Sequence, residues 1–210
     1  MLTIALNRGR VLQECLPLLE RAGIVPAEPI HESRKLVFAS ACGHYTLVIM
    51  RGSDVPTYVE YGAADVGITG KDTLLEHGGC TFYERLDLGI APCRIMTAAP
   101  VGTMYGPGTL RVATKLVNVA KRYFAEQGRQ VQVIPLSGAV EIAPLMGLAD
   151  LIVDVVDTGV TLKAHGLEAR ELIAEVTTRV IVNRAALKTK FDAVETLLSR
   201  LRGIVQGRGA

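Results

Sequence analysis

The chain has no tryptophan, few aromatic residues of any kind (5%) and only four cysteines. Cys15, Cys42, Cys80 and Cys93 lie far apart and never at CxxC spacing, which argues against a zinc site and a small disulfide framework. They read as reduced, mostly buried thiols. Charge of one sign is also missing: 23 Lys and Arg against 21 Asp and Glu leave a formal +2. That balance lacks the electrostatic footprint of a dedicated nucleic-acid or membrane-surface binder. No apolar run approaches the roughly 20 residues of a membrane span. The N-terminal MLTIALNRGR carries its basic residues after a short apolar run, the reverse of a secretory signal. A cytoplasmic protein is expected, with small molecules or other proteins as partners, and with no nucleic acid and no membrane.

What the sequence does have is apolar content, 49% over 210 residues, enough for one large or two small domains with ample core. Its most informative stretch is ADLIVDVVDTGVTL, from Ala149 to Leu162. Leu151, Ile152 and Val153 form the continuous apolar run of a buried parallel strand, and Asp154 and Asp157 then interrupt it. The strand is expected to end near these two carboxylates. Asp157, Thr158, Gly159, Val160 and Thr161 follow as a tight turn opening a helix, whose first amides lack intrahelical partners and so form an anion site. Carboxylates cannot bind phosphate, but they accept hydrogen bonds from sugar hydroxyls or hold a divalent cation. The pairing points to a phosphorylated sugar. An ordinary capped strand-to-helix turn uses the same residue types.

The rest of the chain alternates strands with helices. Thr3 to Leu6 is a short strand, and Asn7-Arg8-Gly9-Arg10 turns it into a helix bearing Val11, Leu12, Cys15, Leu16, Leu18 and Leu19, closed by Gly23. Arg8 and Arg10 therefore stand where an anion meets a helix start. Leu36-Val37-Phe38 and Tyr45 to Met50 pair through the Gly43 turn. Arg51-Gly52-Ser53-Asp54-Val55-Pro56 follows, with Ser53 or Asp54 as a helix cap and Arg51 at the strand end, the edge where open α/β sheets bind ligands. Gly62 to Asp72 encloses a very short strand, after which Lys71 is in reach of an anion.

Tyr83 to Leu88 and Cys93 to Ala99 are further strands, and Pro100 to Thr109 is a loop. Leu110 to Thr114 and Val131 to Ile134 are strands around a helix with Val117, Ala120, Tyr123 and Phe124 on one face. Ser137 then caps a helix that carries Glu141 one turn in. Leu172 to Val182 is one long strand or two. Asn183 caps a last helix with Leu187, Phe191, Val194, Leu198 and Leu201 on one face, and the tail from Gly203 to Ala210 is frayed.

The pattern G-x-A-D-apolar occurs twice, as Gly62-Ala63-Ala64-Asp65-Val66 and Gly147-Leu148-Ala149-Asp150-Leu151. Each is preceded by a helix with a serine near its start and followed by Thr-Leu and then His-Gly. Two similar α/β lobes are implied. The second copy is longer by three residues, in the stretch that carries Asp154 and Asp157. No Ser-His-Asp or Cys-His arrangement accompanies them.

Taken in order, IALNRGR, RGSDVPTYVEYGAADVGITGKD, LSGAVEIAPLMGLADLIVDVVDTGVTL and VNRAALK resemble ATP phosphoribosyltransferase, in the short form without a C-terminal regulatory domain. The resemblance covers nearly the whole chain. It implies an α/β fold of two lobes like type II periplasmic binding proteins, with the active site in the interlobe cleft. Lobe one would comprise residues 1–94 and 178–210 on the ATP and pyrophosphate side, and lobe two residues 95–177 on the phosphoribosyl pyrophosphate side. It implies transfer of the phosphoribosyl group to N1 of ATP, with Mg²⁺ and release of pyrophosphate, as the first step of histidine biosynthesis. The turn of Asp157, Thr158, Gly159, Val160 and Thr161 would hold the 5-phosphate, with Ser137 on the same substrate-binding side, and Glu141 and Asp154 the ribose hydroxyls. Arg8, Gly9, Arg10, Arg51 and Lys71 would face pyrophosphate or the ATP phosphates, with Arg51 or Arg10 stabilising the leaving group. Arg8 stands where many members have lysine, so a bidentate fork replaces a point charge. A homodimer assembling with a regulatory subunit similar to histidyl-tRNA synthetase is implied as well. A non-catalytic small-molecule binder and a nucleobase phosphoribosyltransferase on a single Rossmann-like sheet are the competing readings, and the echoed lobe argues against the second.

Overall fold

The structure, a computed structural model, describes residues 1–31, 33–79, 81–104 and 108–207. The chain divides into two units, Met1–Ala91 with Thr177–Ala210 and Pro92–Val176, so it crosses from one to the other twice.

In unit 1 the strands are β1 (Leu2–Asn7), β2 (Val37–Ala39), β3 (Tyr45–Met50), β4 (Val66–Gly70), β5 (Phe82–Asp87) and β11 (Thr178–Asn183). They form one sheet in the order β2-β3-β1-β4-β11-β5. β1 runs parallel to both β3 and β4, while β11 is antiparallel to β4 and β5. β4 is buried along its whole length, as a central strand covered on both faces must be. One face packs against α1 (Arg10–Arg21) and α7 (Phe191–Gln206), whose Leu12, Leu16, Leu19, Val194, Leu198 and Leu201 join Leu2, Ile4 and Leu6 of β1 in the core. The other face, through Ala5 and Ile181, packs on Val55 and Val59 of α2 (Val55–Glu60) and Leu74 of α3 (Lys71–His77).

Unit 2 repeats this plan with β6 (Cys93–Pro100), β7 (Leu110–Thr114), β8 (Val131–Pro135), β9 (Leu151–Val156) and β10 (Leu167–Val176), ordered β10-β6-β9-β7-β8. β7 is parallel to β8 and β9, and β6 is antiparallel to β9 and β10. Helix α4 (Val117–Glu126) buries Val119, Ala120 and Phe124, and α5 (Val160–Ala164) buries Leu162.

The sequence echo corresponds to a spatial one. The Asp65 amide donates to the Thr3 carbonyl while an Asp65 carboxylate oxygen (Oδ2) accepts from the Thr3 amide at 2.8 Å. Asp150 does the same with Arg111, its Oδ2 accepting from the Arg111 amide at 2.8 Å. Each aspartate thereby locks the third parallel strand of its unit to the first. Gly62 and Gly147 both take left-handed backbone (φ 74° and 68°) just ahead of it.

Several local expectations change. Neither Ser53 nor Asp54 caps α2: Gly52–Asp54 is a 3-10 turn, Asp54 has helical dihedrals, and the Ser53 hydroxyl donates to Asp54 Oδ1. Ser137 opens no α-helix. Ala139 is left-handed (φ 49°), which breaks helical continuation, and only the 3-10 turn Val140–Ile142 forms. The strand ends at Val156, between Asp154 and Asp157, as expected. The last helix is two, α6 (Arg184–Thr189) and α7, and Phe191 at their junction is exposed. Leu172 to Val182 is part of two strands, and α7 continues past Gly203 to Gln206. Cys15 is buried, with burial pushing its thiol up to about 12, but Cys42 is exposed and Cys93 half-buried. Cys80, the centre of the Pro100–Thr109 loop (105–107) and the tail 208–210 lie outside the described residues.

Two tests follow from this scaffold. Asn183 accepts from the Ala185 and Ala186 amides at 2.8 and 2.9 Å and donates to the Val59 carbonyl at 2.7 Å, tying β11, α6 and α2 together. Asn183→Ala is expected to lower the urea midpoint by the equivalent of about 2–3 kcal/mol, and Asn183→Asp, which keeps the cap but sets a carboxylate oxygen against the Val59 carbonyl, is expected to destabilise as well. The Arg111 guanidinium, donating to Asp150 at 2.7 Å, holds the Asp150 carboxyl below its ordinary 3.8. A depressed carboxyl contributes stability above its unfolded value and loses it as pH falls through the folded one. Asp150→Asn is therefore expected to be less stable than the parent at neutral pH. The gap should close below about pH 4 in acid-titrated thermal melts.

Candidate active site

Parallel strands present their carboxyl ends on one edge, and the loops that leave this edge are where an α/β sheet binds ligands. In unit 1 the adjacent strands β3, β1 and β4 deliver Arg51, Arg8 with Gly9 and Arg10, and Lys71 to that edge. Arg8 follows β1, and its amide donates to the Met50 carbonyl at the end of β3. Arg51 comes next after Met50. At Gly52 beside it, a Cβ would lie 2.9 Å from the side-chain amide of Asn7, which would have to turn aside. Behind this turn the buried Thr69 hydroxyl donates to the Gly52 carbonyl at 3.5 Å, a long bond.

The cations of this edge differ in their commitments. Arg10 Nε bonds Glu14 Oε1 at 2.7 Å, one helical turn on, and the other Glu14 oxygen accepts from the Ala91 amide. Lys71 Nζ bonds Glu84 at 2.6 Å, and Glu84 and Asp87 also face Arg179 at 3.5 and 3.0 Å. Arg8 and Arg51 are exposed and form no ion pair among the described residues. An incoming polyanion meets those two without displacing a carboxylate.

In unit 2 the corresponding strands β8, β7 and β9 bring Ser137, Glu141 and the Asp154 to Thr161 segment to one edge. Ser137 is exposed two residues after β8, and Glu141 sits half-buried in the 3-10 turn. Asp154 lies within β9, opposite Met96 of β6, and is only 21% exposed. Its Oδ1 accepts from the Val155 amide at 2.8 Å and pairs with Lys115 Nζ at 3.1 Å. Beyond Val156, Asp157 and Thr158 are exposed. Gly159 is left-handed (φ 76°) and starts α5, with its carbonyl accepting from the Lys163 amide. The first amides of this short helix have no carbonyl four residues back within it. A concavity of about 400 Å³ opens against Thr158 and Gly159, with Arg94 and Lys163 on its walls. Another, of about 450 Å³, lies at the opposite end of the strands against Arg111 and Asp150, which already satisfy each other.

Lys115 was not anticipated from sequence. The available signal was a charged residue directly after the apolar run Leu110 to Thr114, in the place that Asn7 holds in unit 1. Glu14 and Glu84, which engage Arg10 and Lys71, carried no signal, because their partners are chosen by folding. Among the described residues no group of three or more His, Cys, Asp or Glu side chains is arranged to hold a metal ion. No helix among them is long and apolar enough to cross a membrane.

This geometry can be set beside known proteins. Residues 51–203 match the family model described as ATP phosphoribosyltransferase. A protein of that name from Saccharophagus degradans is 59% identical over 209 residues, covering 100% of this chain and 98% of the relative. The chain belongs to the ATP phosphoribosyltransferase family. A solved ATP phosphoribosyl transferase (HisG:HisZ) complex from Thermotoga maritima aligns with TM-score 0.87 at 33% identity, covering 99% of this chain and 100% of that one. The GluR0 ligand-binding core from Nostoc punctiforme, at TM-score 0.61 and 14% identity over 99% of this chain and 94% of that chain, shows the type II periplasmic-binding-protein fold alone. Family membership excludes the non-catalytic binder as the activity of this chain. The chain is a pentosyltransferase that moves the phosphoribosyl group of 5-phosphoribosyl-1-pyrophosphate to N1 of ATP, the first step of histidine biosynthesis.

The Gly52 contact yields a test of the edge in unit 1. Gly52→Ala displaces the Asn7 side-chain amide that packs under the Arg51 turn and is expected to lower kcat/KM a few-fold while leaving the fold intact. Steady-state kinetics alongside circular dichroism would check it.

Proposed function

We propose that, within this reaction, the carboxyl edge of unit 2 holds phosphoribosyl pyrophosphate and that of unit 1 meets pyrophosphate and the ATP phosphates. The observation that carries this assignment is an asymmetry between two edges built on one plan. The β1–β4 and β7–β9 registers place Thr69 of unit 1 and Asp154 of unit 2 at corresponding positions. The neutral, buried threonine shows that the architecture does not need a carboxylate there. Asp154 is then ligand chemistry, an acceptor for ribose hydroxyls with Glu141, while the amides and hydroxyls of the Asp157 to Thr161 turn meet the 5-phosphate. Ser137, at the end of β8, contributes a hydroxyl to the same edge.

In this mechanism the lone pair of adenine N1 attacks the anomeric carbon from the face opposite the leaving group. The C1–N1 bond forms, the C1–O bond breaks with its electrons going to pyrophosphate, and the configuration inverts. N1 already carries a lone pair, so positioning and charge neutralisation outweigh general-base catalysis. Arg51 and Arg10 are the candidates to stabilise pyrophosphate, with Arg8, Gly9 and Lys71 around them. Arg51 is preferred because Arg10 already spends its Nε on Glu14.

Enzymes of the family use metal ions, and Mg²⁺ is the metal proposed. The donor set fits an ion that arrives with its substrate: Mg²⁺ on nucleotides takes phosphate oxygens, waters and one or two carboxylates, not a cage made wholly of protein. Asp157, in the exposed turn after β9, is the carboxylate proposed for it, since Asp154 is given to the ribose. When bound, the ion neutralises phosphate charge and polarises the leaving group. The Thermotoga relative was solved as a HisG:HisZ complex. A homodimer of this chain with a HisZ-like subunit, similar to histidyl-tRNA synthetase, is proposed by that likeness, working in the cytoplasm where both substrates are found.

Mixing the protein with ATP, phosphoribosyl pyrophosphate and Mg²⁺ is expected to produce the ultraviolet absorbance of an N1-ribosylated adenine. Arg51→Ala should lower kcat by about 10²-fold. A kcat within about twofold of the parent would remove Arg51 from the leaving-group role.

A further inference from the structure

Lys115 has no counterpart among the residues assigned so far, and its position is built with care. It directly follows β7, whose Thr114 pairs with Val153 of β9, so Lys115 stands beside Asp154. Its exit from the strand is fixed by the buried Thr114 hydroxyl, which donates to the Val153 carbonyl at 2.6 Å and accepts from the Leu116 amide at 2.8 Å. The Lys115 ammonium then reaches Asp154 Oδ1 at 3.1 Å.

Two observations separate this pair from ordinary surface pairing. First, the matching positions in unit 1 are Asn7 and Thr69, both uncharged, so both members of the pair become charged together in the unit that carries the acidic turn. Second, Lys115 is 44% exposed, and an ion pair so open to water adds little to stability. Asp154 Oδ1 is occupied by Lys115 and by the Val155 amide, whereas Oδ2 has no hydrogen-bond partner among the described residues. The arrangement fixes the carboxylate and leaves one oxygen to accept. An ammonium carries three donors, so those not used on Asp154 remain for an oxygen of the ligand.

We propose that Lys115 is a positioning residue for phosphoribosyl pyrophosphate: it clamps Asp154 through Oδ1, directs Oδ2 to a ribose hydroxyl, and presents its remaining donors to a substrate oxygen. The inference rests on the reading of unit 2 as the phosphoribosyl side. A lysine suits this place, since a flexible point charge can hold one carboxylate oxygen and turn toward a second acceptor.

The test compares the parent with Lys115→Met, Lys115→Arg and Asp154→Asn, varying each substrate at saturating levels of the other. Lys115→Met is expected to raise KM for phosphoribosyl pyrophosphate about tenfold or more, with KM for ATP within about twofold. The same variant should lose most of the thermal shift that phosphoribosyl pyrophosphate with Mg²⁺ gives the parent, while its unliganded melting point stays within about 2 °C. Lys115→Arg should recover part of both. Unchanged KM and thermal shift in Lys115→Met, or an equal rise in both KM values, would overturn the role of Lys115. If Asp154→Asn raises KM for phosphoribosyl pyrophosphate while Lys115→Met does not, only the lysine inference falls. If neither does, the reading of unit 2 falls with it.

Discussion

In each unit one aspartate grips the amide of the residue just ahead of the first parallel strand's inner register, and the arrangement of the functional edge depends on that grip. Asp65 takes the Thr3 amide and Asp150 the Arg111 amide, while their own amides return to the same residues' carbonyls. A slip of one residue would send every side chain of β4 or β9 to the other face. The doublet prevents that slip at one end of the strands and so fixes which side chains emerge at the other. Each aspartate is also charge-compensated, by Lys190 at 2.8 Å in unit 1 and by Arg111 itself in unit 2. The anchor is therefore satisfied when partly buried and does not depend on any ligand.

From that common anchor the two edges diverge. Unit 1 ends its strands in cations, of which Arg10 and Lys71 are held by Glu14 and Glu84 while Arg8 and Arg51 face solvent. Unit 2 ends its strands in a clamped carboxylate and a turn of amides and hydroxyls around a left-handed glycine. A reaction that joins a phosphosugar to a nucleotide and releases pyrophosphate needs both kinds of surface. A carboxylate suits hydroxyls and repels phosphate; arginine does the reverse.

Much of this was legible in the sequence because it is local. Apolar runs of four to six residues bounded by Gly, Asp and Asn located nearly every strand, and Asn183 as a cap, Gly23 as a helix end and the Gly43 turn appear as read. The places where local reading failed share one cause. Ser53, Asp54 and Ser137 have the chemistry of helix caps, yet the backbone after them is set by where the sheet edge ends. Ser53 bonds its neighbour, and Ala139 turns left-handed after β8. Asp154 and Asp157 bracket the strand end as read, because charge is costly in a sheet interior. What local reading could not supply is the partner of Asp154, Lys115, which arrives from β7 and is distant in sequence.

By itself the sequence determined the α/β alternation, the repeat of the G-x-A-D unit and the family, since these reside in short contiguous motifs whose spacing survives without a structure. Only the tertiary structure decided which carboxylate each cation engages, and hence that Arg51 is open while Arg10 and Lys71 are held. It alone placed Lys115 on Asp154 and showed that Thr69 takes the corresponding position in unit 1. The physical reason is range: helix periodicity and turn chemistry act over a few residues, whereas an ion pair forms between whichever charges the strand registers bring within about 3–4 Å.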